Sequence, residues 1–196
     1  MRLILVRHAA TEGNRHRYIG RQDLPLSAEG ERQAAGLAAR LAGERIDVII
    51  SSPLVRARRT AEAIAARRSL CVQLRDGLME IDYGTLQGTI KGERPFSLRK
   101  AYLVEPMPGG ESLTDVWERL GPVCDELLGA LDTHRVIAVV GHFWSNRILL
   151  SRLRGHQLQQ ALGECRYKPA NASAMAIELA AAQGSVIIRS AQWIEG

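Results

Sequence analysis

Short unbroken apolar runs alternate along this chain with longer segments in which apolar positions recur every three or four residues. The first pattern reads as strands buried on both faces, the second as helices with one buried stripe. Leu3-Ile4-Leu5-Val6 is the first apolar run, and it stops at Arg7-His8. After a polar, glycine-containing loop through Asp23, Ser27 caps a predicted helix that has Glu29 and Glu31 in its first turn. Ala34, Leu37, Ala38 and Leu41 fall on one face of that helix. Val48-Ile49-Ile50 predicts a second strand. Ser52-Pro53 has the form of a helix cap followed by proline at the first helical position, opening a helix to about Arg68 that buries Ala57, Ala61, Ile64 and Ala65.

Cys71 to Leu74 reads as a third short strand, and Asp76 to Gly110 as an irregular stretch with one helix near Phe96 to Val104. Excursions of that length commonly carry function. Ser112, with Asp115 three residues on, opens an amphipathic pattern through Leu113, Val116, Trp117, Leu120, Cys124, Leu127, Leu128 and Leu131. Gly121-Pro122 should kink or split it. Val136 to Val140 predicts another buried strand, followed by Gly141-His142 and a helix holding Ile148, Leu149 and Leu150. Two late strands, Ala174 to Leu179 and Ser185 to Arg189, meet across Gln183-Gly184.

Strands alternating with amphipathic helices predict an α/β fold, a mainly parallel sheet covered on both faces with the last pair antiparallel at one edge. With no repeat or linker, residues 1–196 read as a single domain. In open sheets of this class, ligands bind beyond the carboxyl ends of the strands. Arg7-His8, Ser51-Ser52 and Gly141-His142 all follow such ends, so three distant segments are expected to meet at one cleft.

Composition narrows the function. At 196 residues, 46% hydrophobic and 24% charged, the chain can bury a sizeable core, which excludes disorder and fibrous classes. Its formal charge of +5 invites nucleic acid, but the basic residues are scattered, only Lys91, Lys100 and Lys168 are lysines, and no basic tail accompanies them. A small phosphorylated substrate suits the balance better than nucleic acid. The three cysteines Cys71, Cys124 and Cys165 show no CxxC spacing, which points away from disulfides and cysteine zinc sites and toward a reducing cytoplasm. Neither a signal peptide nor a membrane-spanning run is expected. A homodimer is compatible with the chain.

Taken alone, a histidine just beyond a buried strand serves as base, metal ligand or nucleophile, or is simply held by backbone carbonyls. The wider constellation is more specific. Leu5-Val6-Arg7-His8-Ala9-Ala10-Thr11-Glu12-Gly13-Asn14, Ser51-Ser52-Pro53-Leu54-Val55-Arg56-Ala57-Arg58-Arg59-Thr60-Ala61 and Leu78-Met79-Glu80-Ile81-Asp82-Tyr83-Gly84-Thr85-Leu86-Gln87-Gly88 occur in order. Pro108-Gly109-Gly110-Glu111-Ser112 and Val139-Val140-Gly141-His142 with Arg147 complete the series. These five blocks resemble the signatures of the histidine phosphatase superfamily, which includes cofactor-dependent phosphoglycerate mutases and their phosphatase relatives.

The resemblance implies a phosphoglycerate mutase-like, three-layer α/β/α sandwich with a substrate-covering insert around 84–110. It implies that His8 is the nucleophile that attacks phosphorus, that Arg7, Arg56 and His142 bind the phosphoryl oxygens with Asn14 as a further contact, and that Glu80 is the general acid. Elementary chemistry agrees, because charge spreads over the equatorial oxygens of a transferring phosphoryl group and fixed guanidinium groups stabilise it. No metal and no cofactor is then required. His8 should be neutral at its attacking nitrogen and His142 more useful protonated.

Two positions depart from the family's glycines, Ala9 after the first histidine and Phe143 after the second. Alanine is a mild change at negative φ and costs about 1 kcal/mol or more at positive φ. Phe143, followed by Trp144, either walls the cleft and narrows the substrate range or packs the next helix. His16, His134 and His156 read as surface residues, as do Arg58, Arg59, Arg67 and Arg68. Among Lys91, Arg94, Arg99 and Lys100, one or more is a candidate partner for an acidic substrate; Glu111 either assists at the cleft or begins a helix. Hydrolysis of a phosphomonoester is the expected reaction, because the stretch between Gly84 and Pro108 and the tail from Gln192 are too short to exclude water. The alternatives are a mutase-type phosphotransferase and a catalytically silent binder of phosphorylated ligands.

Overall fold

The computed structural model describes residues 1–13, 16–91, 100–133, 135–163, 167–182 and 185–194. Its strands are β1 (Arg2–Arg7), β2 (Val48–Ser51), β3 (Val72–Leu74), β4 (Val136–Gly141), β5 (Ala174–Ala182) and β6 (Ser185–Trp193). They form one sheet in the order β3-β2-β4-β1-β5-β6. β1, β2, β3 and β4 pair in parallel, whereas β5 runs antiparallel to both β1 and β6. The mainly parallel sheet with an antiparallel edge pair is the one the patterning predicts.

Unbroken apolar runs arise because both faces of the sheet are covered. Leu3, Leu5, Ile50, Ile137 and Val139 face one core, with α3 (Leu113–Arg119), α4 (Gly121–Gly129) and α5 (Phe143–Leu153). Ile4, Val6, Ile49, Ala138 and Val140 face the other, with α1 (Ala28–Arg40) and α2 (Val55–Ala66). Each fully buried Leu, Ile or Val side chain contributes about 1.5–3 kcal/mol relative to exposure. A short α6 (Leu158–Gly163) precedes β5.

Helix ends follow their local signals with one exception. Ser27 Oγ accepts the Gly30 N–H at 3.1 Å and caps α1, and Ser112 and Asp115 form a reciprocal capping box at α3. Gly121-Pro122 splits the long amphipathic pattern into α3 and α4, with proline in the first turn of α4. The exception is α2, which starts at Val55 after Leu54, so Ser52 is not its cap. β5 and β6 also run further than expected, and Gln192 and Trp193 belong to β6. Of the predicted helix near Phe96 to Val104, the described part is a single 3₁₀ turn at Lys100–Leu103. The rest of it, and the Gln183-Gly184 turn, lie outside the described residues.

Neighbouring positions in the sheet make the site. β2, β4 and β1 lie side by side, and Arg7 pairs with Gly141. The His8 N–H donates to Gly141 O at 3.0 Å and the Ser52 N–H to Val140 O at 3.0 Å. Residues 7–8, 51–52 and 141–142 therefore meet at one end of the sheet, as the carboxyl-end rule requires.

Candidate active site

A cavity of about 340 Å³ opens at these strand ends, lined by Arg7, His8, Arg56 and Glu80 among others. His8 is only 5% exposed. Its backbone is held from three sides: its N–H goes to Gly141 O, and its carbonyl accepts from the Ala172 N–H at 3.2 Å and from Asn171 Nδ2 at 3.0 Å. Its ring is oriented by two further contacts. Nδ1 lies 2.7 Å from Ala9 O, an acceptor only, so the proton belongs on Nδ1. Nε2 then bears the ring's one lone pair, which accepts from Arg56 Nε at 3.3 Å.

Arg56 sits in the first turn of α2, 2% exposed, and spreads its fork over three acceptors. Besides His8 these are Gln22 O at 2.7 Å and Gly20 O at 2.6 Å. Gly20 has φ +55°, and a Cβ there would meet Gln87 Oε1 at 2.6 Å and Ile81 O at 2.9 Å, so only glycine lets this carbonyl approach the guanidinium. Burial lowers the Arg56 pKa to about 10, which still leaves it charged at neutral pH. Arg7 donates to Pro169 O at 2.7 Å and lies 5.6 Å over the Phe143 ring. Thr60 ties α2 to the first strand end, since its Oγ1 donates to Arg56 O at 2.7 Å and accepts the Ala9 N–H at 3.1 Å.

Glu80 stands at the N-terminus of α5. Its carboxylate accepts the N–H groups of Ile81 (3.0 Å), Phe143 (3.0 Å), Trp144 (3.1 Å) and Ser145 (3.3 Å). The segment that carries it is clamped by Arg119, which donates to Gly77 O at 2.7 Å, Met79 O at 2.8 Å and Glu80 O at 3.1 Å. Glu111 completes the clamp by pairing with Arg119 at 2.9 Å and with Arg21. Glu111 directly precedes the α3 cap Ser112, and its carboxylate helps to hold the segment that carries Glu80.

His142 is fully buried and outside the cavity lining, with its ring centroid 4.9 Å from that of His8. Its Nε2 lies 2.8 Å from Ser52 Oγ, and its Nδ1 is buried with no hydrogen-bond partner among the described residues. The expectation of a protonated His142 is corrected here. Burial, reinforced by Arg56, His8, Arg7 and Arg119, pushes its pKa well below the usual histidine range. His8 is depressed in the same way by burial, Arg56 and Arg7, which supplies the neutral nitrogen that a nucleophile needs.

These two depressed histidines make stability depend on pH. In the unfolded chain each takes up a proton near its ordinary pKa, while the folded protein resists until lower pH, so the unfolded state binds more protons in that window. Stability is fully present above about pH 6.5 and falls as the pH drops below it. Urea unfolding at pH 7.5 and pH 5.0 should show the loss, with a shallower pH dependence in His142→Gln. Equal stability at both pH values would contradict the burial account.

The departures resolve clearly. Among described non-glycine residues only Ser69 and Ala172 have positive φ, so Ala9 adds a methyl without backbone strain. Phe143 and Trp144 both form the first turn of α5 and wall the cavity, so the two readings hold together. Lys91 also lines the cavity, with Nζ 6.0 Å from the Tyr18 ring centroid. Arg58 and Arg59 instead pair with Glu62 on the surface, His16 is exposed, and Arg68 is half-buried, donating to Ile64 O at 2.9 Å and to Leu41 O. Asn14, Arg94, Arg99 and His134 lie outside the described residues, and nothing is described of the Lys100 side chain.

Patterning did not single out Ser52 as a partner of His142, Thr60, Arg119 or the 169–173 loop. For Thr60 the matching block was a usable signal; for Asn171 and Ala172, in a loop before β5, there was none. Among the described residues no group of three or more His, Cys, Asp or Glu is placed to hold a metal ion, and no helix is long and apolar enough to cross a membrane.

Comparison with known proteins places this geometry. The phosphoserine phosphatase 1 of Hydrogenobacter thermophilus is 37% identical over 169 residues, covering 82% of this chain and 79% of its own. A 2,3-bisphosphoglycerate-dependent phosphoglycerate mutase of Methylocella silvestris is 36% identical over 163 residues, 76% of this chain and 79% of its own. The structure of a mycobacterial glucosyl-3-phosphoglycerate phosphatase in complex with VO3 matches with a TM-score of 0.82 at 28% identity, over 96% of each chain. The sequence profile of the histidine phosphatase superfamily (branch 1) matches residues 3–189. Its order of motifs and its packing of two histidines and two arginines at the strand ends have one common explanation: the chain belongs to the histidine phosphatase superfamily.

Proposed function

We propose that the protein hydrolyses phosphomonoesters of small metabolites through a phosphohistidine at His8. The observation that carries this reading is the orientation of His8 in the cavity lining: its Nδ1 proton is committed to Ala9 O, so Nε2 bears the one lone pair, held by a 3.3 Å bond from Arg56 that an incoming phosphoryl group would replace. In the first step Nε2 forms a bond to phosphorus, and the bond from phosphorus to the leaving oxygen breaks as Glu80 gives that oxygen a proton. The guanidinium groups of Arg7 and Arg56 neutralise charge that grows on the equatorial oxygens. The carboxylate left on Glu80 rests on the N–H groups of Ile81, Phe143, Trp144 and Ser145. In the second step it takes a proton from water, the water oxygen bonds to phosphorus, and the N–P bond breaks to restore neutral His8 and release phosphate.

Arg17 and Lys91 add positive charge to the cavity, and Tyr18, Tyr83, Phe143 and Trp144 give it an aromatic wall. Both features favour a compact substrate with a second acidic group, in line with the phosphoserine and glucosyl-3-phosphoglycerate for which two of the relatives are named. We propose that residues 1–196 form a single domain in which water is the usual acceptor; of the expected cover at 84–110, residues 92–99 lie outside the described residues. The arginines carry the charge that a metal would otherwise supply, so the reading is metal-independent. An exposed free thiol at Cys71 fits a reducing cytoplasm.

A panel of sugar phosphates, phosphoglycerates, phosphoserine, nucleotides and phosphopeptides tests the reading. Phosphate release from at least one small acidic phosphoester, unchanged by EDTA, is the expected result. Mutase turnover with 3-phosphoglycerate and a bisphosphoglycerate primer well above any phosphate release would establish the alternative. Glu80→Gln should slow substrates with poor leaving groups by roughly 10²-fold and activated aryl phosphates far less, since general acid help scales with the need for protonation. Equal losses on both would show that Glu80 serves binding or structure.

A further inference from the structure

Ser52 lies one residue beyond β2 and is fully buried. Its backbone is fixed by the bond from its N–H to Val140 O. Its Oγ accepts the Leu54 N–H at 3.3 Å and lies 2.8 Å from His142 Nε2. A serine hydroxyl has one hydrogen to donate and two lone pairs. One lone pair is taken by Leu54, and the one acceptor within reach of the hydrogen among the described residues is His142 Nε2.

Two arrangements are conceivable for a neutral ring. With the ring proton on Nε2, that N–H points at Ser52 and the serine's own hydrogen is left buried without an acceptor, a costly state. With the proton on Nδ1, the hydroxyl donates to Nε2 and the serine is satisfied. The hydrogen bond made by one ring nitrogen thus decides what the other offers. The other is Nδ1, buried and without a protein partner, on the ring packed against His8.

We infer that Ser52 is a positioning residue that holds His142 in the tautomer with its proton on Nδ1, so that the ring presents an N–H rather than a lone pair to a phosphoryl group on His8. The inference rests on the phosphohistidine reading for its purpose, though the tautomer stands on local geometry. An N–H stabilises the anionic phosphoryl oxygens, whereas a lone pair repels them. The His142 backbone is held in turn by its N–H, which donates to Ser145 Oγ at 3.0 Å. Among the described residues Ser52 is the hydrogen-bond partner of the ring and so sets where the ring proton sits. The SSP block thus supplies two elements of the site, Arg56 beside the nucleophile and Ser52 behind the second histidine.

The tautomer is measured directly by long-range ¹H–¹⁵N correlation NMR on ¹⁵N-histidine-labelled protein at pH 7.5, with His142 assigned by its loss in His142→Gln. The wild-type spectrum should show Nδ1 protonated and Nε2 as an acceptor. In Ser52→Ala the proton should move to Nε2 in a large fraction of molecules. Its kcat should fall about tenfold or more, with a much smaller change in KM. A wild-type proton on Nε2, an unchanged tautomer in Ser52→Ala, or wild-type kcat in that variant overturns the inference. Failure to trap ³²P on His8 overturns the phosphohistidine reading instead and leaves the tautomer result standing.

Discussion

His8→Ala should abolish turnover, by on the order of 10⁴-fold or more, because a nucleophile acting in a unit of groups has no substitute. The fold should survive. The backbone at residue 8 keeps its bonds to Gly141, Asn171 and Ala172, and the guanidinium left without its imidazole partner still has Gln22 O and Gly20 O. Phosphate release, ³²P trapping and urea unfolding on the same preparation separate the two consequences. Near-normal hydrolysis by a folded His8→Ala protein would sink the covalent mechanism.

Arg56→Ala should lower kcat/KM by roughly 10²-fold or more, while Arg59→Ala changes it less than about twofold, as expected of a surface pair worth about 0–1 kcal/mol. The two residues are three apart on one helix, yet Arg56 is 2% exposed and touches His8. Arg59 pairs with Glu31 at 3.9 Å and Glu62 at 3.5 Å with its side chain 56% exposed. Arg56→Lys keeps a charge but cannot span three acceptors, so it should recover little. Similar small losses at both positions would place the phosphoryl pocket on another face of α2.

Much of this site could be read in the amino acids. Apolar runs ending at Arg7-His8, Ser51-Ser52 and Gly141-His142 located the strand ends, because a strand buried on both faces must be apolar and the first polar residues mark where it leaves the core. The blocks named His8, Arg56, Glu80 and His142, and all but His142 line the cavity. Where local and long-range signals competed, the local reading failed. Ser-Pro before a helical pattern resembles a cap, but the Ser52 hydroxyl turns to His142, 90 positions away, and α2 begins two residues after Pro53.

Other features depend on distance in space and leave no trace in local pattern. The charge state of His142 follows from complete burial among cations contributed by β1, α2 and α3. That Ala9 is unstrained follows from its φ, and the clamp on the Glu80 segment from Arg119 reaching Glu80 across 39 residues and Glu111 reaching Asp82 across 29. Side-chain periodicity reports only which face of an element is dry. By itself the chain determined which elements form, in what order, and which residues stand at their ends. The tertiary structure decided which of those ends share one buried pocket, and so which protons and charges they carry, because desolvation and Coulomb interaction act through space and take no account of position along the chain.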